Sequence, residues 1–270
     1  MTPSPNDRRA YGRGHFPRAW NLLFGVLRQL AGRAESFYGA VGIFLIAGAV
    51  VAVLATIGFA QLAEYVLKGG TQKFDIAILQ WLHLHQSPAL TALMTEMTYL
   101  GTGTVVIMIV VVTAMFLWHT EHKHSARLLL ASTIGAIILN NALKLVFHRA
   151  RPSVFEWQTT ALSSSFPSGH AMSATVVYGT VAYLCMRLQQ HHWSRVVTFI
   201  AAVVLILLIC LTRLYLGVHY PSDVIGGIIV GLAWAGFCMA TLEASLALAR
   251  RRTPARVVEE LPAPTESLSA

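Results

Sequence analysis

The sequence predicts an all-α, polytopic membrane protein whose six transmembrane helices form a bundle. Hydrophobic residues make up 55% of the 270-residue chain and charged residues only 12%. A soluble domain carries about 25% charged residues, and the mean hydropathy here is +0.59. Several uncharged runs also approach or exceed the roughly 20 apolar residues that a bilayer-spanning helix requires.

Six apolar runs are interpreted as the spans, and they cover residues 38–60, 101–118, 128–147, 170–186, 196–216 and 222–247. The stretch 61–99 is more polar and predicts two short amphipathic helices in the first outer loop. They should separate at Ser87-Pro88, because proline disfavours the helical conformation in the residue before it.

The same patterning divides the chain into three parts. Residues 1–37 form a basic cytoplasmic segment, in which 18–33 carries apolar residues at helical spacing together with arginines. This is typical of an amphipathic helix on lipid headgroups, although a linker without structure is an alternative. Residues 38–248 form the transmembrane domain, and 249–270, rich in Pro, Glu and Ala, are expected to be disordered.

The net charge of +8 comes from 20 Lys and Arg against 12 Asp and Glu. In a membrane protein such an excess marks cytoplasmic loops, so no nucleic-acid partner is expected. With both termini cytoplasmic in the cell (inner) membrane, six spans leave only six cations outside: Lys68, Lys73, Lys144, Arg149, Arg151 and Arg213.

Three polar stretches interrupt the apolar sequence. They are 144–152 (KLVFHRARP), 167–170 (PSGH) and 213–223 (RLYLGVHYPSD). The first follows the third span, the second begins the fourth, and the third joins the fifth to the sixth. Span parity therefore places all three on the outer face, where they can form one site. Cations near membrane spans are costly and indicate a functional role.

The residue types in these stretches suit the cleavage of a phosphate ester, which needs charge neutralisation, a nucleophile and an acid for the leaving oxygen. Lys144, Arg151 and Arg213 can neutralise the phosphate, and arginine can hold two oxygens at once. At the start of the fourth span, the backbone N–H groups of Ser168, Gly169 and His170 should point outward toward an anion.

His219 and Asp223 lie four residues apart across Pro221. The carboxylate can hold one imidazole nitrogen and leave the other free as a nucleophile, with His170 remaining as the acid. Structural explanations stay open for each feature alone, since Lys144 could extend to the membrane interface, PSGH could be only a helix start, and the His219–Asp223 pair could be structural. Their joint occurrence favours a phosphate site.

Two further groups are left out of this site. His148 and Arg149 flank the first stretch and are interpreted as ordinary interfacial residues. No metal ion or other cofactor is predicted, because the remaining histidines lack convincing ligand spacing. His83 and His85, for example, are two residues apart and do not share a helix face.

The three stretches together resemble the signature of the type 2 phosphatidic acid phosphatase and vanadium haloperoxidase superfamily. The pattern Lys144-x6-Arg151-Pro152, then PSGH, then Arg213-x5-His219-x3-Asp223 matches that signature in order and spacing. One departure is Thr212, where the family usually has serine. The resemblance implies a helical bundle and a metal-independent phosphohydrolase.

The resemblance also implies roles for individual residues. His219 would be the nucleophile, Asp223 its partner and His170 the acid. The phosphate would be bound by Lys144, Arg151, Ser168, Gly169 and Arg213.

The function expected from this resemblance is that of a membrane lipid phosphatase. Its substrate would be a phosphatidate, a phosphatidylglycerophosphate or a polyprenyl diphosphate, cleaved through a phosphohistidine intermediate. A lipid phosphotransferase on the same scaffold is the alternative. An anion transporter is disfavoured, because no apolar run is broken in its middle and no inverted repeat is visible. The oligomeric state is not predicted.

Overall fold

A computed structural model describes residues 37–159 and 163–252. Within them all regular secondary structure is helical. The helices are α1 (Phe37–Leu67), α2 (Gln72–Leu84), α3 (Pro88–Tyr99), α4 (Gly103–His119), α5 (Lys123–Val146), α6 (Gly169–Leu188), α7 (His192–Tyr215) and α8 (Pro221–Arg252). The predicted amphipathic helix at 18–33 and the part of the tail beyond 252 lie outside the described residues.

Five of these helices, α1 and α5 to α8, are long and apolar enough to cross a membrane. The remaining predicted span, the second at 101–118, corresponds to α4, which has 17 residues. At 1.5 Å per residue it is about 25 Å long, slightly short of the roughly 30 Å hydrocarbon core. Together with α3, from which it is bent by 46°, it meets the same criterion. The chain is a multi-pass membrane protein.

The outward surface of the bundle agrees with a lipid environment. Large apolar side chains are exposed on several helices, among them Leu54, Val112, Ile138, Val197 and Leu232. Soluble proteins rarely expose apolar surface of this extent. Helices satisfy their own backbone hydrogen bonds, which makes them compatible with hydrocarbon.

Helix α1 extends further than the sequence indicated, past residue 60 to Leu67. Phe59, Ala63 and Val66 lie on one face of this extension and are buried in an apolar cluster. On the other side Glu64 pairs with Lys68 at 2.5 Å, and both side chains are exposed. Packing of one face therefore continues the helix through a stretch whose composition is partly polar.

Helices α2 and α3 confirm the predicted pair of short helices between the first two spans. Proline opens α3, and the Ser87 hydroxyl caps it by accepting the N–H of Leu90 at 3.3 Å. The buried residues of α2 are Asp75, Leu79 and Leu82, which recur at helical spacing. An aspartate thus lies on the face that α2 turns toward the rest of the protein.

Helix α6 packs against α5, α7 and α8. Its approach to α8 is very close because glycines of α8 face it. A Cβ atom on Gly227 would lie 2.6 Å from the carbonyl oxygen of Ser168, and one on Gly231 would lie 2.8 Å from the Cβ of Thr175. Small residues four apart allow such contact between membrane helices. The first turn of α8 is thereby held beside the start of α6.

Candidate active site

The three polar stretches meet at one end of the bundle. Arg151 Nη1 donates a hydrogen bond to the carbonyl oxygen of Val218 at 2.7 Å, which joins the first stretch to the third. The N–H of Ser168 donates to the carbonyl oxygen of Asp223 at 3.0 Å, which joins the second to the third. The convergence expected from span parity is present in the structure.

The first stretch contributes two cations whose positions are fixed by the segment that follows it. Lys144 lies in the last turn of α5 and donates to the Ser163 hydroxyl at 2.8 Å. Arg151 Nε donates to the carbonyl oxygen of the same serine at 2.9 Å. Its Nη1 lies 3.4 Å from Nε2 of His219, so a phosphate held by Arg151 would lie beside that nitrogen.

The second stretch forms the start of α6, as predicted, with one correction. The N–H of Ser168 is not directed outward to an anion, because Asp223 accepts it. Gly169 and His170 are the first two residues of α6, and N–H groups in this position have no partner within a helix. A Cβ on Gly169 would lie 3.2 Å from the side-chain amide of Asn140, so the absence of a side chain allows this close contact.

The third stretch reverses direction between α7 and α8. Gly217 has a φ of +76°, a left-handed conformation that glycine adopts without strain. The turn places His219 just before α8, which begins at Pro221, one residue before the predicted sixth span. His219 is only 2% exposed, and Asp223 is fully buried.

The predicted pairing of these two residues is present but long. Nδ1 of His219 lies 3.5 Å from Oδ2 of Asp223, beyond the usual range of about 2.7–3.2 Å for N–H···O bonds. The same oxygen already accepts the Ser165 hydroxyl at 2.5 Å and the N–H of Tyr220 at 2.8 Å. Catalytic hydrogen bonds are often long without substrate and shorten in the reacting complex.

Burial lowers the pKa of His219 to about 4. Asp223 opposes this change, whereas the positive charges of Arg151 and Arg213 add to it. The imidazole is therefore neutral at neutral pH and keeps the lone pair that a nucleophile requires.

Arg213 supplies the third cation and is almost completely buried, with 4% exposure. Its Nη1 donates to the Thr98 hydroxyl of α3 at 2.7 Å, which fixes the guanidinium group. The neighbouring Thr212, the departure from the family pattern, donates its hydroxyl to the carbonyl oxygen of Ile209 at 2.6 Å. Its hydroxyl therefore bonds within α7 itself.

Several buried polar atoms at this end of the bundle lack a hydrogen-bond partner among the described residues. They include Ser168 Oγ, His170 Nε2 and Arg213 Nε. Each such group costs about 1–3 kcal/mol, so their concentration at one place requires an explanation. His170 also lies within electrostatic reach of Arg213, His219, Lys144 and Arg151. This arrangement is suited to binding an anion rather than to internal pairing.

Arg149, interpreted from the sequence as an ordinary interfacial residue, is instead part of this cluster of charges. Its Nη1 contacts Asp223 Oδ1 at 2.5 Å, and its Nη2 contacts Asp75 Oδ2 at 2.8 Å. The guanidinium also lies over the ring of Tyr220, 4.2 Å from the centroid. Asp75 was not singled out from the sequence. Its place on the apolar face of α2, in register with buried leucines, was the signal that could have identified it.

Comparisons with known proteins agree with this geometry. Residues 125–246, which contain all three stretches, match the family model described as the PAP2 superfamily. Phosphatidylglycerophosphatase B of Bacillus subtilis is 33% identical over 180 residues, covering 64% of this chain and 86% of the relative. The undecaprenyl-diphosphatase of Sulfolobus acidocaldarius is 31% identical over 195 residues, covering 69% and 88%.

A solved structure shares the fold as well. The crystal structure of the first transmembrane PAP2 type phosphatidylglycerolphosphate phosphatase from Bacillus subtilis has a TM-score of 0.66 and 30% identity, covering 71% of this chain and 96% of that chain. The resemblance drawn from the three motifs is thereby confirmed, and the chain belongs to the PAP2 superfamily.

Proposed function

We propose that this protein hydrolyses the phosphate group of a membrane lipid, with His219 as the nucleophile. The observation that carries the proposal is the convergence of three fixed cations, Lys144, Arg151 and Arg213, around His170 and the buried, neutral His219. The named relatives support the substrate class, because a phosphatidylglycerophosphatase and an undecaprenyl-diphosphatase both act on phosphate carried by a lipid.

In the first step, His219 Nε2 attacks phosphorus and the bond to the lipid oxygen breaks. Nε2 is the suitable nitrogen because it faces Arg151, whereas Nδ1 faces Asp223. The ring becomes positively charged when the phosphohistidine forms, and the carboxylate of Asp223 stabilises that charge. The cations neutralise the phosphate oxygens as the bond order changes.

His170 is the general acid in this scheme. Its Nε2 is buried without a partner among the described residues, and the ring is close to His219. It donates a proton to the leaving oxygen of the lipid. Water then attacks the phosphohistidine and gives a proton to His170, and phosphate is released while both histidines return to their starting states.

The site is proposed to face the outside of the cell membrane, with both termini in the cytoplasm. At the end of the bundle opposite the site, the helix turns that flank the α4–α5 and α6–α7 connections contain Lys123, Arg187 and Arg195. The positive-inside rule assigns such loops to the cytoplasm.

The first test measures phosphate release from phosphatidate, phosphatidylglycerophosphate and undecaprenyl diphosphate by the purified protein, with and without EDTA. We expect release of inorganic phosphate from at least one lipid and no loss in EDTA, because the three cations supply the positive charge a metal ion could bring. Complete loss in EDTA that Mg²⁺ restores would contradict metal independence. Phosphate that appears on an alcohol acceptor instead of in solution would indicate a transferase.

Because the two histidines have different proposed roles, their substitutions should affect activity differently. His219→Ala should abolish turnover of every substrate, whereas His170→Ala should be partly rescued by a nitrophenyl ester, whose leaving group needs no proton. Asp223→Asn should lower kcat by about 10²–10⁴-fold, as for loss of an orienting aspartate in a serine triad. His148→Ala is the matched control, because His148 is exposed near the same site.

Rapid quenching with ³²P-labelled substrate tests the nucleophile directly. Label that is acid-labile and base-stable should appear on the wild type and be absent from His219→Ala. Label that persists in His219→Ala and disappears in His170→Ala would reverse the two roles.

The pH dependence of kcat/KM follows from the lowered pKa of His219, about 4. As the pH falls, the ring stays neutral until it approaches that value, so the acid limb should lie well below the ordinary histidine value of about 6.5. Rates are corrected for ionisation of the substrate phosphate, measured by ³¹P NMR. An acid limb that remains near the ordinary histidine value after correction would be incompatible with a neutral buried nucleophile.

Membrane orientation is tested with cysteines introduced singly into residues 153–164 of a variant lacking Cys185, Cys210 and Cys238. In intact cells these cysteines should react with an impermeant thiol reagent. A cysteine at the exposed Thr120, in the α4–α5 connection at the other end of the bundle, should react only after lysis. The opposite labelling pattern would invert the proposed topology.

A further inference from the structure

Three charged side chains lie in a row behind His219. Arg149 contacts Asp223 through Nη1 at 2.5 Å and Asp75 through Nη2 at 2.8 Å. Both carboxylates are fully buried, and the arginine side chain is only 10% exposed. Asp75 belongs to α2, Arg149 to the segment after α5, and Asp223 to α8, so the row joins three separate parts of the chain.

Asp75 is held firmly by the start of α8. Its Oδ1 accepts the N–H of Ser222 at 3.0 Å, and its Oδ2 accepts the Ser222 hydroxyl at 2.6 Å. The same hydroxyl accepts a bond from Arg149 Nη1 at 2.8 Å. An N–H in the first turn of a helix has no partner within the helix, and Asp75 satisfies it. The carboxylate therefore has one well-defined position relative to Arg149.

The charge balance of the row matters for phosphoryl transfer. Arg149 paired with Asp223 alone would form a neutral pair, and such a pair would do little to stabilise a positively charged imidazole. With Asp75, two carboxylates share one guanidinium, and one net negative charge remains beside His219. In a buried site this charge acts strongly on the ring, because solvent screening is weak.

We propose that Asp75 is a positioning residue for the reaction: it holds Arg149 in place and shares its charge, so that Asp223 both orients and electrostatically supports His219. The proposal rests on the proposed role of His219 as the nucleophile. Asp75 lies on the buried face of α2. It acts on His219 only indirectly, through Arg149 and Asp223.

The central experiment replaces the charge of Asp75 with an amide of the same shape. Asp75→Asn should lower kcat and the rate of phosphohistidine formation by about 10- to 100-fold, the size seen when outer-shell partners of metal ligands are removed. KM and the inhibition constant of dodecylphosphonate should stay nearly constant, because Lys144, Arg151 and Arg213 bind the phosphate. A bridge that only stabilised the fold would lower the melting temperature without this split between kcat and KM.

A double-mutant cycle with Arg149→Gln separates charge balance from simple loss of a contact. The variant Asp75→Asn/Arg149→Gln again leaves one net negative charge, that of Asp223. Its kcat should exceed that of Asp75→Asn and be no lower than that of Arg149→Gln. If the double variant is slower than Arg149→Gln, Asp75 does not act through Arg149, and the proposal is overturned. This comparison still decides if Asp75→Asn alone does not fold.

Two further variants complete the design. Thr71→Val is the matched control, because Thr71 makes only a long contact of 3.5 Å to Arg149 and carries no charge; its kcat should match the wild type. Asp75→Glu retains the charge and should keep more activity than Asp75→Asn. Folding of each variant is checked by thermal unfolding in detergent.

The outcomes separate the two proposals. If Asp75→Asn keeps the wild-type kcat while His219→Ala is inactive, the proposed role of Asp75 is overturned and the proposed function is not. A raised KM at unchanged kcat also overturns it. Turnover by His219→Ala overturns the proposed function itself.

Discussion

The buried carboxylate of Asp223 is the group on which the arrangement of the site depends. An ionised carboxylate is tolerated in a protein interior only when it is paired and hydrogen-bonded. Here Oδ1 contacts Arg149, while Oδ2 accepts the Ser165 hydroxyl and the N–H of Tyr220. Its backbone carbonyl accepts the N–H of Ser168. Because these partners come from different segments, satisfying one buried charge brings those segments together.

Close packing of the membrane helices makes this cluster possible. Gly227 lets the backbone of α8 approach the carbonyl oxygen of Ser168, which lies one residue before α6. The exposed faces of the same helices are largely apolar, and the polar groups of the three stretches lie together at one end of the bundle. For the proposed reaction, the fixed charges at that end are already in place before a phosphate binds, and no large rearrangement of dipoles is needed.

The two short helices, α2 and α3, position cations of the site. Thr98 of α3 fixes the guanidinium of Arg213, and Asp75 of α2 fixes that of Arg149. A guanidinium held at one edge presents its remaining N–H groups in a defined direction. The cations of the PAP2 motifs are therefore oriented partly by residues far outside those motifs.

The sequence by itself determined the membrane class, the helical spans and the content of the three stretches. These properties are local. An apolar run of sufficient length crosses a bilayer, and the proline after Ser87 separates two helices. The four-residue spacing of His219 and Asp223 is likewise read directly from the sequence. Only the tertiary structure decided that Arg149 belongs to the site, that Asp75 faces it, and that the N–H of Ser168 is occupied. These outcomes depend on contacts between residues distant in sequence, such as the 147 residues that separate Asp75 from Ser222. No periodicity or spacing within one segment encodes which distant group will neutralise a buried charge.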